Sequence, residues 1–275
     1  MRGGDGRLRV WTLGSGSRGN AILLEDAGTR VLVDAGYPAR MLAKRLATIA
    51  VAPESISAVV VTHEHGDHAC GVRAAQARWG WHVFGSAGTL NGIRRLNPTR
   101  ATAVRVGAAW SVGTFAFELV RVSHDAAAPT AVLATASATG FRTGIAHDLG
   151  APNESLRRAF TGLDLLLLES NHDVEMLRSG PYPPFLQERI VGRNGHLSNR
   201  QSASFARDLA AGTVRELVLL HLSEVNNTPT HALAAAEQAL RAGRRRCAIR
   251  AAPQDRVAGP FGDARAAARQ LSLAI

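Results

Sequence analysis

Val61-Thr62-His63-Glu64-His65-Gly66-Asp67-His68 is the stretch on which the reading of this chain turns. It continues directly from Ala58-Val59-Val60, a short apolar run of the kind that forms a buried strand. Three imidazoles and a carboxylate (His63, His65, Asp67 and His68) fall within six residues. Groups that polar cannot all enter a core without partners. A solvated, histidine-rich loop would account for each of them singly. Grouped behind a strand, however, neutral imidazole and carboxylate are natural ligands of zinc, manganese or iron. Alternate side chains diverge along a loop, so His63 and His65 can reach one cation while Asp67 and His68 reach another.

One loop cannot close two metal sites, and further ligands are expected from elsewhere. His124 lies in Val122-Ser123-His124-Asp125, Asp148 follows the run ending at Ala146-His147, and His221 follows the strand-like run 216–220. Each stands at the end of a strand-like segment, where the edge of a sheet sandwich would gather them. Taken alone they read as a capping residue, a turn carboxylate and a hydrogen-bonded core histidine. With the first cluster they read as the rest of a metal centre.

The surrounding pattern supplies the sandwich. Residues 8–13, 21–24 and 30–33 read as short strands between glycine-containing turns, and 40–50 has helical spacing with Met41, Leu42, Leu46 and Ile49 on one side. Residues 58–61 and 81–84 are strand-like and 87–96 helical. A second group of strands is expected at 103–106, 115–122, 131–136 and 141–146. Helices at 153–160, capped by Asn153, and 199–211, capped by Ser198 or Asn199, interleave with strands at 163–168, 216–220 and 247–251. Two β-rich runs, each followed by helices, predict an α+β fold with a four-layer αββα sandwich. Residues 1–275 read as a single domain.

Bulk properties narrow the function classes. The 275 residues, 46% hydrophobic and 20% charged, suffice for a sizeable core and argue against global disorder. The basic start at 1–7 has no apolar run behind it to make a signal peptide, and runs such as 165–168 are too short to span a bilayer. Cys70 and Cys247 are far apart and follow no ligand pattern. A cytoplasmic location with no membrane partner is therefore the expectation. The net charge of +10 is almost all arginine, Lys44 being the only lysine. It reads equally as compositional bias and as attraction to a polyanion.

Asp34 in Leu32-Val33-Asp34-Ala35-Gly36, the His63–His68 cluster, His124, Asp148 and His221 together resemble the metallo-β-lactamase superfamily across nearly the whole chain. The resemblance implies that His63, His65 and His124 hold one metal, that Asp67, His68 and His221 hold the other, and that Asp148 bridges them. It implies that Asp34 holds a ligand by hydrogen bond. Leu13-Gly14-Ser15-Gly16-Ser17-Arg18-Gly19-Asn20, His124-Asp125-Ala126, Glu169-Ser170-Asn171-His172-Asp173, Gly180-Pro181-Tyr182-Pro183, Gly195-His196-Leu197-Ser198-Asn199 and His221-Leu222-Ser223 through Asn226-Asn227 are similar to the WalJ/YycJ-type branch. That branch implies a DNA exonuclease related to the ribonuclease Z group. His147 departs from it, since threonine more often precedes the bridging aspartate.

The expected chemistry is phosphodiester hydrolysis with two divalent ions, zinc or manganese, with iron also compatible. A water or hydroxide shared by the two ions is the nucleophile. Asp67 would orient it or take its proton. His196 would donate a hydrogen bond or proton to the phosphate or leaving oxygen, and by resemblance to ribonuclease Z Glu169 would orient His196. Ser15, Asn20 and Ser198 are expected near the substrate, with Arg18 and Arg193 on flanking phosphates. DNA or another phosphodiester is the expected partner. The spacing from Asp148 to His221 leaves no room for a large inserted RNA-cleaving domain, and no long tRNA-gripping arm is evident. The alternatives are hydrolysis of a small diester, thioester or lactone, and a non-catalytic module that keeps metal for folding.

Other motifs have ordinary readings. Gly14-x-Gly16-x-x-Gly19 matches a dinucleotide fingerprint formally, but a strand follows it rather than a helix, so it reads as a tight turn over the metals. His82, His172 and His231 read as surface or hydrogen-bonded histidines. Arg241, Arg244, Arg245 and Arg246 beside Gly243 suit a helix C-terminus.

Overall fold

A computed structural model describes residues 8–210, 212–244 and 246–262. The start at 1–7, the helix end at 211, Arg245 and residues 263–275 lie outside the described residues.

The first half of the chain forms β1 (Arg9–Gly14), β2 (Ala21–Asp26), β3 (Thr29–Val33), α1 (Ala39–Ala47), β4 (Ala58–Val61), α2 (Gly66–Ala69), α3 (Val72–Trp79), β5 (His82–Gly85), α4 (Ala87–Gly92) and β6 (Ala101–Ala103). There follow β7 (Ala109–Val112), β8 (Phe115–Arg121), β9 (Thr130–Ala136), β10 (Arg142–Ala146), α5 (Glu154–Ala159), β11 (Leu165–Glu169), α6 (Val174–Ser179) and α7 (Pro184–Val191). The chain continues with α8 (Asn199–Leu209), β12 (Glu216–Leu220), α9 (Pro229–Ala242), β13 (Ala248–Ala251) and β14 (Ala258–Phe261).

Among the described residues these strands form two seven-stranded sheets, ordered β14-β1-β2-β3-β4-β5-β6 and β13-β12-β11-β10-β9-β8-β7. Central strands such as β4 and β11 are buried on both faces, which is why they read as continuous apolar runs rather than alternating ones. The period of two is visible only in the core. In β11, Leu165 and Leu167 point between the sheets, whereas Leu166 and Leu168 point to the outer cluster containing Leu156, Phe205 and Leu240 of α5, α8 and α9. In β4, Ala58 and Val60 enter the central layer, while Val59 and Val61 pack with Leu42, Leu46 and Val72 of α1 and α3. Three apolar layers between four structural ones make the αββα sandwich.

Helix starts follow the local signals. Asn153 caps α5 by accepting from Leu156 N–H, and Ser198 caps α8 in a full capping box with Gln201. Several expected boundaries are corrected. The strand expected at 103–106 is Ala101–Ala103; Val104 and Val106 pack on the central layer without extending it. The helix expected to run to 96 stops at Gly92. Asp67 and His68, expected on a loop, lie in the helical turn α2. The short elements β7, α6, α7 and β14 carry too few periods to be delimited from sequence. Gly259 and Pro260 disguise β14, which pairs at the sheet edge where proline is tolerated.

Directions decide where the site falls. β3 is parallel to β4, and β10, β11 and β12 are mutually parallel. β8 runs antiparallel to β9, which runs antiparallel to β10, so β8 and β10 end on the same side. Asp34, the His63–His68 segment, His124, Asp148, Glu169 and His221 all stand at or just beyond the carboxyl ends of these strands.

Candidate metal centre

The polar residues at this edge are held by a backbone that turns abruptly out of each strand. Asp34, Asp148 and His221 follow β3, β10 and β12 with φ of 63°, 38° and 54°. Left-handed φ is unusual for residues with side chains and is most accessible to Asn, Asp and His. It costs on the order of 1–3 kcal/mol per residue and persists where the surroundings over-determine it. Each kink turns a side chain across the mouth between the sheets.

Asp148 is the meeting point. One carboxylate oxygen, Oδ2, lies 3.1 Å from His63 Nε2, 2.9 Å from His68 Nε2 and 3.7 Å from His124 Nε2. The other, Oδ1, lies 2.9 Å from His221 Nδ1 and 3.5 Å from His196 Nδ1. Asp67 Oδ2 is 3.4 Å from both His68 Nε2 and His221 Nε2. His65 Nδ1 is 3.4 Å from His124 Nε2. The structure thus brings together two donor groups that share Asp148: His63, His65 and His124, and Asp67, His68 and His221, with all ligand atoms of each group within 4.8 Å of one another.

The donor chemistry fits divalent cations. His63 Nε2 and Asp148 Oδ1 are buried and make no hydrogen bond despite their near neighbours. Such orphaned buried groups cost roughly 1–3 kcal/mol each in a dry site. Both atoms belong to residues of the two donor groups, and bound cations would satisfy them.

The supporting groups are equally buried. Asp34 accepts from Thr62 N–H at 2.8 Å and lies 2.7 Å from His68 Nδ1 through Oδ2. Burial alone would raise the Asp34 carboxyl, but the His68 charge and the hydrogen bonds from His147 and His68 hold it far below the usual range. His147 reaches the same Oδ2 at 3.2 Å, so the histidine that departs from the family pattern shares the carboxylate orienting His68.

Glu169, the last residue of β11, accepts from Leu149 N–H at 2.8 Å and Leu197 N–H at 2.9 Å through Oε2. Its Oε1 lies 2.6 Å from His196 Nδ1. Burial opposes ionisation of both partners. Even so, their mutual attraction holds the Glu169 carboxyl below the usual carboxylate range and the His196 ring above the usual imidazole range.

The groups open onto a cleft of about 250 Å³, with Asp67, Asp148 and His221 on its lining together with Ser17, Arg189 and His196. Ser15, Asn20 and Ser198, expected beside a substrate, are instead buried and engaged within the protein. Ser15 Oγ accepts from His221 N–H at 2.9 Å and donates to Asn20 Oδ1. Asn20 Nδ2 lies 3.1 Å from His68 Nε2, and Ser198 caps α8. It is Ser17, in the same glycine-rich turn, that lines the cleft. Arg18 pairs with Glu224.

Sequence reasoning passed over Thr62, Asn171 and Arg189. Asn171 Nδ2 donates to His221 O at 3.0 Å, and its place in the Glu169–Asp173 segment was the available signal. The remaining histidines stay apart from the two donor groups. His82 lies 2.8 Å from Thr102 Oγ1 and His231 2.7 Å from Thr228 Oγ1, whereas His172 is buried with Nδ1 unpaired. Arg241 lies in the last turn of α9 and pairs with Glu237.

Comparison with known proteins agrees with this architecture. Residues 29–222 match the model of the beta-lactamase superfamily domain. The chain is 32% identical over 221 residues to the exodeoxyribonuclease WalJ of Streptococcus pneumoniae serotype 2, covering 78% of this chain and 81% of that protein. It is 30% identical over 224 residues to the exodeoxyribonuclease YycJ of Bacillus anthracis, covering 80% and 84%. The crystal structure of the metallo-beta-lactamase fold protein YhfI from Bacillus subtilis superposes with a TM-score of 0.71 at 16% identity, over 92% of this chain and 99% of that one.

Proposed function

The chain belongs to the metallo-β-lactamase superfamily, and from that premise we propose that it is a metal-dependent phosphodiester hydrolase that degrades DNA from an end. The observation that carries the reading is the buried carboxylate of Asp148, which histidines of both donor groups approach to 3.1 Å or less. On this reading residues 1–275 act as one hydrolase domain. Among the described residues no helix is long and apolar enough to cross a membrane.

In this proposal His63, His65 and His124 hold one divalent cation, Asp67, His68 and His221 hold the second, and Asp148 serves both. Imidazole and carboxylate donors suit zinc or manganese, and iron is compatible. When bound, such a pair supplies a water acidified to near neutrality and offsets charge on the phosphate oxygens.

The protein's own groups do the rest. Asp67, the more exposed of the two central aspartates, faces the cleft; it orients the attacking water and accepts its proton. His196 also faces the cleft and donates a hydrogen bond or proton to the phosphate or leaving oxygen. Glu169 fixes the ring by binding Nδ1, which leaves Nε2 for that task. Arg18 and Arg193 meet flanking phosphates. Asp34 acts through His68, whose ring it orients.

The test is cleavage of end-labelled single- and double-stranded DNA with manganese or zinc, alongside bis-p-nitrophenyl phosphate, with Asp67→Ala as control. Stepwise nucleotide loss from one end, absent in the variant, is expected. Hydrolysis of the small diester with DNA left intact would overturn the DNA assignment.

A further inference from the structure

Helix α7 forms one wall of the cleft and carries an exposed aromatic side chain that no part of the chemistry above uses. Leu186, Arg189 and Ile190 line the cleft. Phe185 is 72% exposed, more than any other large apolar residue among those described. It precedes Arg189 by four positions, so the two side chains share a face, a little over one turn or about 6 Å apart along the helix.

No residue of α7 is fully buried, and a backbone hydrogen bond from the segment carrying His196 ties the helix to the metal centre. His196 N–H donates to Ile190 O at 2.8 Å. A Cβ on Gly195 would lie 2.2 Å from the same carbonyl, so the chain there approaches α7 as closely as glycine permits. Arg189 Nε donates to Asp125 Oδ2 at 3.0 Å, beside His124. Phe185 is therefore an aromatic plane held in water by a helix docked on the cleft, next to a cation.

The charges nearby favour an anionic chain. Arg189 and Arg18 are each 67% exposed, and Arg193 follows α7 on the surface. Arg189 and Arg18 each engage one carboxylate through part of a guanidinium fork that carries five N–H donors.

We propose that α7 is the binding wall for a single DNA strand. Phe185 stacks on an unpaired nucleobase near the scissile phosphodiester, and Arg189 meets the phosphate between them. This rests on the phosphodiesterase reading and deepens it: the preferred substrate end is single-stranded, because only an unpaired base offers its face. Every base has such a face, so recognition by Phe185 is tolerant of sequence.

The experiment is a binding cycle with fluorescent, phosphorothioate-linked single-stranded oligonucleotides, read by anisotropy on the full chain and on Phe185→Ala and Phe185→Trp. Thermal melting of each protein establishes that it is folded. Phe185→Ala should raise Kd about tenfold, within the range of one lost base–aromatic stack, and Phe185→Trp should retain the parent value. Abasic residues are then placed at each end in turn. One placement should weaken the parent by the same factor and cost Phe185→Ala nothing further. Equal binding by Phe185→Ala and parent, or independent losses in the cycle, would overturn the stacking role while leaving the nuclease reading intact. A parent protein that neither binds nor degrades DNA would remove both.

Discussion

His68 Nδ1 and Asp34 Oδ2 lie 2.7 Å apart with both side chains fully buried. That contact, with Thr62 N–H on the other Asp34 oxygen, fixes the ring so that His68 Nε2 faces Asp148 and Asp67. Carboxylates behind metal-binding histidines raise ligand basicity and remove rotational freedom, and their loss typically costs ten- to a hundredfold in metal affinity or activity.

Asp34→Asn should therefore weaken divalent metal binding by about ten- to a hundredfold. Competition with a chromophoric chelator measures this. An unchanged affinity would show that His147 and packing alone orient His68.

Glu169→Gln should lower kcat by about a hundredfold, on the scale of a misplaced proton donor, with a smaller effect on KM. The amide can no longer serve His196 Nδ1 and accept from both Leu149 and Leu197 N–H groups as the carboxylate does. Steady-state kinetics on a chromogenic phosphodiester, with metal content measured in parallel, separates loss of the His196 orientation from loss of metal.

Removal of divalent ions should abolish hydrolysis and lower Tm, because buried donors such as His63 Nε2 and Asp148 Oδ1 then have no partner. A ligand at a hundred times its Kd stabilises the folded state by about 2.7 kcal/mol. Calorimetry before and after chelation, followed by readdition of zinc or manganese, gives the shift and shows which ion restores turnover.

Gly36→Ala should destabilise the protein by about 1–3 kcal/mol or more, as overpacking does, and reduce activity. A Cβ at residue 36 would fall 1.7 Å from Asp67 O and 2.7 Å from Asn20 N, so the turn carrying Asp67 must move. Urea unfolding and kinetics check both effects; a fully active, equally stable variant would contradict the packing argument.

Much of the fold was legible because its central strands are buried on both faces. Apolar runs such as 58–61, 165–168 and 217–220 announce themselves regardless of context. The short elements were not legible. A six-residue helix such as α6 spans fewer than two turns, so its apolar side has no period to detect. An edge strand containing Gly259 and Pro260 contradicts local propensity, and only pairing with β1 makes it a strand.

The chain's own residues determined the chemistry on offer: imidazoles and carboxylates at strand ends, donors that suit divalent cations. Which of them meet was decided by the tertiary structure. Asp148 touches His63 only because separate sheets pack face to face, and it touches His221 only because β10 and β12 flank β11 in parallel register. Tertiary packing likewise turned Ser15 and Asn20 inward and left Ser17 on the cleft. A local pattern specifies which groups leave a strand, but their directions depend on φ values that the assembled sandwich imposes on Asp34, Asp148 and His221. Those strained turns are stable only when both sheets are present to hold them.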